Sequence, residues 1–260
     1  MNTKYWLDRL FIHQPRFRRF VTSLLEPDRD QTVTVAGTEL LVNRRREHGY
    51  LRASRLIRKN GTLRDEIPVL MNLFAVLRDG DTFVDVGANV GLYTHSMARL
   101  ARLKKIHIVA LEPHPDTFAR LSARPVEGVA FVNLAASDQA QTLTFVDGAV
   151  SHVFTTADKA NKYSIASEVF QVRTQRLDSM RFPTDSLVVK IDVEGQESRV
   201  LHGAAGLFDR AQVRAVYLDG YEDASIHEFL LERGFTLYEG RTLAPVTRKV
   251  FSLLAIRRDA

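Results

Sequence analysis

The sequence predicts a doubly wound α/β domain preceded by a basic extension. From Asp79 onward, short apolar runs alternate with segments of helical periodicity. That alternation builds a mostly parallel sheet with helices on both faces. The charge is also uneven. The first 60 residues hold 13 Lys or Arg against 6 Asp or Glu, a net +7, whereas the whole chain carries only +5. The rest is therefore slightly acidic, and the expected division is an extension over 1–62 and the α/β domain over 63–260.

Within the extension, residues 1–30 read as two short helices. Tyr5, Trp6, Leu10 and Phe11 share a face, Pro15 interrupts it, and Phe17, Phe20, Val21, Leu24 and Leu25 resume helical spacing. Thr32–Val35 and Leu40–Val42 flank Ala36-Gly37-Thr38, the pattern of a hairpin. A helix is expected over 63–77, its apolar face made by Leu63, Ile67, Leu70, Met71, Phe74 and Leu77, with Pro68 near its start.

Next come a strand over Thr82–Val86, a helix over Leu92–Leu103, a strand over Ile106–Leu111, a helix over Asp116–Arg124 and a strand over Val129–Leu134. Residues 140–177 lack helical periodicity and read as extra strands or a substrate-facing loop. Ser186–Ile191 is a strand, and Glu197–Gly203 begins a helix. Val213–Leu218, Ser225–Arg233, Thr236–Tyr238 and Phe251–Ile256 follow as strand, helix and two closing strands.

Composition narrows the class. With 260 residues, 45% hydrophobic and 26% charged, the chain has the make-up of a soluble globular protein. It has no Cys, which excludes disulfides and thiolate metal sites. No apolar run approaches the ~20 residues of a membrane span. The N-terminus lacks the apolar core and cleavage site of a signal peptide, so the expected location is cytoplasmic.

Ligands on open α/β sheets bind at the carboxyl ends of the strands, where strand order reverses. The first strand ends in Phe83-Val84-Asp85-Val86-Gly87-Ala88-Asn89-Val90-Gly91. The glycines permit a sharp turn and close approach of a ligand to backbone, and the following helix presents free N–H groups. A dinucleotide fingerprint requires Gly-x-Gly-x-x-Gly. Asn89 holds the second glycine position, where its side chain crowds a pyrophosphate. An acid at Asp85 suits an ammonium better than phosphates, and S-adenosylmethionine carries an ammonium and a sulfonium but no phosphate.

The second strand ends in Glu112-Pro113, with Glu112 placed 21 residues after Gly91 to accept hydrogen bonds from ribose hydroxyls. The third ends in Asn133-Leu134-Ala135-Ala136-Ser137-Asp138. Its small residues leave room for adenine, with Ser137 or Asp138 on the exocyclic amine, or the stretch is a plain loop. The fourth ends in Lys190-Ile191-Asp192-Val193-Glu194-Gly195-Gln196-Glu197. Glu197 is accounted for by the helix dipole. Asp192 is not, because it follows directly on a buried apolar strand where an unpaired carboxylate is costly.

Four strings, 83–94, 110–115, 133–138 and 190–197, together resemble the FkbM family of S-adenosylmethionine-dependent methyltransferases, in order and spacing. The resemblance covers about residues 63–257. It implies a class I methyltransferase fold, Rossmann-like, with a seven-stranded, mostly parallel sheet. It also implies methylation of a hydroxyl on a sugar or secondary metabolite. The implied cofactor site comprises Asp85, Gly87, Asn89, Gly91, Tyr93, Thr94, Glu112, Pro113, Ala136, Ser137 and Asp192, with Asp192 near the reaction centre. The chain departs from the family at Tyr217-Leu218-Asp219-Gly220-Tyr221-Glu222, where a glutamate-containing apolar strand is expected.

Methyl transfer from a sulfonium is an in-line displacement, so positioning is the main task. Asp192 is expected to act as the base or to orient the acceptor. A second arrangement puts Asp192 and Asp219 on neighbouring strand ends, helped by Glu194 or Glu222, to hold Mg²⁺, although no third ligand stands at a diagnostic spacing. A nicotinamide-binding oxidoreductase is a further alternative, opposed by Asn89. His95 and His114 either edge the pocket or lie at the surface, and His152 is the better candidate for a substrate contact. Arg44-Arg45-Arg46 with Arg16, Arg18 and Arg19 form a solvated face or bind an anionic substrate or membrane surface. Nucleic acid is disfavoured, because tracking phosphates needs a basic groove.

Overall fold

The computed structural model describes residues 26–55, 61–147, 154–156, 169–210, 212–221, 223 and 225–258. The two helices expected over 1–30 therefore lie almost wholly outside the described residues.

The hairpin forms as expected, with β1 over Asp30–Val35 paired antiparallel to β2 over Thr38–Asn43. Its two-residue turn needs left-handed backbone at both positions, and Ala36 and Gly37 adopt φ of 48° and 79°. Helix α1, His48–Arg55, follows and was not expected from the sequence. One hairpin face (Val33, Val35, Leu40 and Val42) packs with Leu51 and Ala53 of α1 and with Val90 and Leu92 of the glycine loop.

Helix α2 spans Gly61–Val76. It starts two residues before the expected helix, so Pro68 falls in its interior and not near its start. The main sheet then runs through β3 (Thr82–Val86), β4 (His107–Leu111), β5 (Val129–Val132), β10 (Leu187–Ile191), β11 (Val213–Asp219), β12 (Phe235–Glu239) and β13 (Ser252–Arg257). Its seven strands lie in the order β12-β13-β11-β10-β3-β4-β5, and β13 alone runs antiparallel to both its neighbours. Strand order reverses between β3 and β10, which sit side by side with Lys190 opposite Asp85.

Helices cover both faces. On one, Val84, Val86, Val189, Ile191, Val216 and Leu218 meet apolar residues of α5 (Glu197–Gly203), α6 (Ala205–Asp209) and α7 (Ser225–Glu232). On the other, Phe83, Val188, Ala215 and Tyr217 meet Leu70 and Leu73 of α2 and Tyr93 and Met97 of α3, Leu92–Leu100. Every residue of β3 and β10 is buried, as two-sided coverage demands.

Of the region without helical periodicity, the described part is mostly strand: β7 (Gln141–Asp147), β8 (Phe154–Thr156) and β9 (Val169–Gln175) join β6 (Ala135–Ala136) in a second sheet, in the order β6-β9-β7-β8. Among the described residues, no helix is long and apolar enough to cross a membrane.

The hairpin is tied to the large sheet by buried polar contacts. Arg120 of α4 (Pro115–Ser122) meets Glu47 at 2.6 Å, with both side chains buried. Burial pushes the Glu47 carboxyl above its ordinary value, opposed by the Arg120 guanidinium. Breaking such a pair strands a charge, so Arg120→Ala should destabilise the chain by about 3–5 kcal/mol in urea unfolding. Arg124→Ala, which removes an exposed ion pair to Glu39, should cost under about 1 kcal/mol.

Candidate active site

The reversal of strand order opens a cleft of about 690 Å³, counting its open mouth. Its lining comes from the ends of four strands of the two sheets. Val86, Gly87 and Asn89 follow β3, Glu112 and Pro113 follow β4, Leu134, Ala135 and Ala136 lead into the small sheet, and Asp192, Val193, Glu194 and Gln196 follow β10. Phe145 of β7 closes the wall opposite.

Two loops meet at its floor. Gly87 has φ 78°, and a side chain there would place Cβ 1.9 Å from the Asp192 carbonyl oxygen. Only glycine satisfies both constraints. Asn89 also holds positive φ, 52°, and its backbone N–H donates to Glu112 Oε2 at 2.8 Å. The N–H of His114 donates to the other Glu112 oxygen at 2.9 Å. Burial pushes the Glu112 carboxyl up to about 7, against these two bonds. Asn133 fixes the same turn by donating to the carbonyls of Glu112 and Pro113.

Asp85 does not face the cleft. It is fully buried, with Oδ2 accepting from Thr94 Oγ1 at 2.7 Å and Oδ1 lying 3.2 Å from Lys190 Nζ. Lys190 also donates to the Gly87 carbonyl at 2.8 Å and lies 3.4 Å from Asp192 Oδ2. Its ammonium sits 5.2 Å from the centre of the Tyr93 ring. Burial works against the lysine charge, but Asp85 and Asp192 outweigh it and hold its pKa above the ordinary value. Thus Thr94 supports Asp85, while Tyr93 lies against Lys190. Gly91, with φ 87°, closes the loop against Leu121 and His95, and Ser137 is buried with its hydroxyl on Asp138.

Several acids interact with Asp192, of which Glu194 lines the cleft. Burial, then Asp192 and Glu197, push Glu194 up to about 7. Glu66 on α2 is pushed up to about 8 by burial and by Asp192, partly offset by Lys190. Asp219 ends β11 beside Asp192, as expected, and its carboxyl is raised by burial and by Asp192. It accepts from the Tyr217 hydroxyl at 2.6 Å. Among the described residues no three His, Cys, Asp or Glu come together as a metal site; Glu222 and His152 lie outside them. Glu197 accepts from the N–H groups of Gly195 and Val193, so it closes its own loop.

Other expectations find different surroundings. His114 is buried, caps α4 and meets the Phe170 ring edge-on at 4.5 Å. His95 is half-buried, beside Phe131. The arginine run is paired: Arg44 with Glu26, Arg45 with Asp28 and Arg46 with Asp116. Sequence reasoning missed Lys190 and Glu66 as members of the site. The signal for Lys190 was available, since one charged residue inside Leu-Val-Val-Lys-Ile needs a buried partner.

Residues 85–237 match the model of the Methyltransferase FkbM domain. The hexuronic acid methyltransferase AglP of Haloferax volcanii is 30% identical over 148 residues, which cover 54% of this chain and 57% of that protein. The chain thus spans little more than half the length of that relative. Among solved structures, an FkbM methyltransferase from Methylobacillus flagellatus is 13% identical with a TM-score of 0.44, covering 69% of this chain and 44% of the other. A TehB-like methyltransferase from Corynebacterium glutamicum is 11% identical with a TM-score of 0.43, covering 81% and 97%.

The floor contact is testable without a ligand. Gly87→Ala should lower the unfolding temperature well beyond the effect of Gly195→Ala. Gly195 has φ 90° but open space around it, so its variant bears only the left-handed backbone cost of about 1–2 kcal/mol.

Proposed function

Because the chain belongs to the FkbM methyltransferase family, we propose that it methylates a hydroxyl of a sugar or secondary metabolite with S-adenosylmethionine as donor. The observation that carries this reading is the charge of the cleft. Glu112, Asp192 and Glu194 line it, and among the described residues no Lys or Arg does. Such a lining suits a ligand with an ammonium, a sulfonium and ribose hydroxyls, and it disfavours the pyrophosphate of a dinucleotide.

When bound, S-adenosylmethionine supplies a methyl group on a sulfonium leaving group. Glu112 would accept the ribose hydroxyls, since its two oxygens have lone pairs beyond those taken by Asn89 and His114. Gly87 and Asn89 shape the turn beneath, Pro113 and Ala136 leave a flat apolar slot for adenine, and Ser137 supports the slot from behind. Asp85, Tyr93, Thr94 and Gly91 hold the loop. Asp192, partly exposed at the mouth, would orient the acceptor hydroxyl and take its proton.

The same charge bears on the acceptor. The relative from Haloferax volcanii is named for a hexuronic acid, an anion. Here Glu66, Asp219 and Glu194 crowd the Asp192 end. A neutral hydroxylated acceptor fits this end better, because these carboxyls already resist ionisation and an anionic acceptor would add a further negative charge beside Asp192.

Asp192→Asn should keep S-adenosylhomocysteine affinity within a few-fold and cut turnover by roughly 10²–10⁴, the usual worth of a base. The assay is a panel of neutral glycosides beside the matching uronates. Activity on uronates alone, or wild-type turnover by the variant, would overturn the acceptor reading. Glu112→Ala should abolish S-adenosylhomocysteine binding in isothermal titration, and a wild type that does not bind would remove the donor assignment itself.

The raised Glu112 adds a pH dependence. Ribose hydroxyls bind the ionised carboxylate, and in the free chain that group titrates at about 7. Affinity should therefore be flat above pH 7 and fall below it, by up to about tenfold per unit. Glu112→Gln should lose most of the slope, with any residue of it due to Glu194, which titrates at about the same pH. An equal slope in both proteins would count against the role of Glu112.

A further inference from the structure

Lys190 lies buried behind the cleft lining, against the Gly87 carbonyl and Asp192, and no expectation assigned it a role. It lies in the middle of the main sheet, in register with Asp85 of β3 on one side and Tyr217 of β11 on the other. These three polar residues form a row across three strands, on the face covered by α2 and α3. From this row the ammonium reaches the carbonyl of Gly87 at 2.8 Å, beneath the donor side. It also reaches Asp192 Oδ2 at 3.4 Å, on the acceptor side.

We propose that Lys190 is a positioning residue, whose ammonium pairs with Asp192 and aims it at the acceptor while clamping the Gly87 turn. The proposal rests on the reading that Asp192 handles the acceptor proton. Its physical basis is the company Asp192 keeps. Four carboxyls interact electrostatically with it: Glu66 from α2, Asp219 from β11, Glu194 from its own loop and Glu197 from the start of α5. The phenols of Tyr50 on α1, Tyr93 on α3 and Tyr217 on β11 also lie within its field. Lys190 is the ion-paired cation found against this carboxylate among the described residues. Without it, the acids repel one another and Asp192 is driven towards the protonated, non-basic form.

Asp85 explains why the lysine stays in place. A lysine free to move would leave a dry strand for water. Here Asp85 fixes it from the opposite side and is itself held by Thr94. The ammonium is thus shared between a carboxylate that anchors it and one that uses it.

Lys190→Met alone strands Asp85 and is expected to unfold the chain. The test therefore compares the wild type with the charge-balanced pair Asp85→Asn and Lys190→Met, in the full ligand-free chain. Both are checked for folding by circular dichroism. The readout is carboxyl-¹³C NMR of labelled aspartate, with the Asp192 signal assigned through Asp192→Asn. Loss of the Asp85 charge alone would lower the Asp192 titration midpoint, so a rise of about one pH unit or more in the double variant reports the lysine, the usual effect of an opposite charge at this range. Equal midpoints in the two proteins would overturn the proposal. S-adenosylhomocysteine titration of the wild type is run alongside. Its failure would strike the methyltransferase reading while leaving the NMR comparison intact.

Discussion

A buried ion pair between β3 and β10 is the constraint on which the cleft depends. Two parallel strands enclosed on both faces should be apolar throughout, yet each carries one charge, Asp85 and Lys190, directly opposite in the register. Taking both out of water costs several kcal/mol per ion, and the pair is tolerable only because each charge is also hydrogen-bonded elsewhere. Thr94 serves the acid and the Gly87 carbonyl serves the lysine. A pair of well-packed apolar residues would hold the sheet together as well or better. The charges are thus explained by what they hold at the strand ends more than by stability.

What they hold is a junction of two loops. The turn after β3 and the turn after β10 touch backbone to backbone, with Gly87 against the Asp192 carbonyl. No side chain fits between them. Glu112, fixed through the Asn89 amide, and Asp192, proposed above to handle donor and acceptor respectively, are therefore held by one continuous backbone junction. Transfer between two ligands depends on holding them within a fraction of an ångström of the productive line. A floor with no compliant side chain in it meets that demand directly.

Features set by local backbone rules were readable from the sequence. The glycines at 87 and 91 announced a left-handed turn, Ala36-Gly37 announced the hairpin, and the acids at 112 and 192 announced strand ends that open on a cleft. Features set by register or by distant packing were not. Asp85 and Lys190 are 105 residues apart in sequence, and only the pairing of β3 with β10 turns the acid inward onto the lysine. Arg44, Arg45 and Arg46 looked like a basic surface because their acids lie at Glu26, Asp28 and Asp116, outside any local window. His114 looked exposed beside a turn, but β9 brings Phe170 over it. Helix α1 was hidden because its helical face is recognisable only against the hairpin it covers.

The extension also changes meaning in three dimensions. Its basic count suggested a separate arm, yet its described part packs on α3, α4 and the glycine loop. Through Tyr50 it also enters the field of Asp192, joined there by Glu66 of α2. Both come from before β3, and neither belongs to the matched segment 85–237. The cleft lining around Glu112, proposed for the donor, is built from residues inside that segment. The surroundings of Asp192, proposed for the acceptor, include residues outside it, where a relative sharing the domain is free to differ. Donor chemistry therefore follows from family membership with few further assumptions, whereas acceptor choice has to be argued from Tyr50, Glu66 and Asp219 of this particular chain.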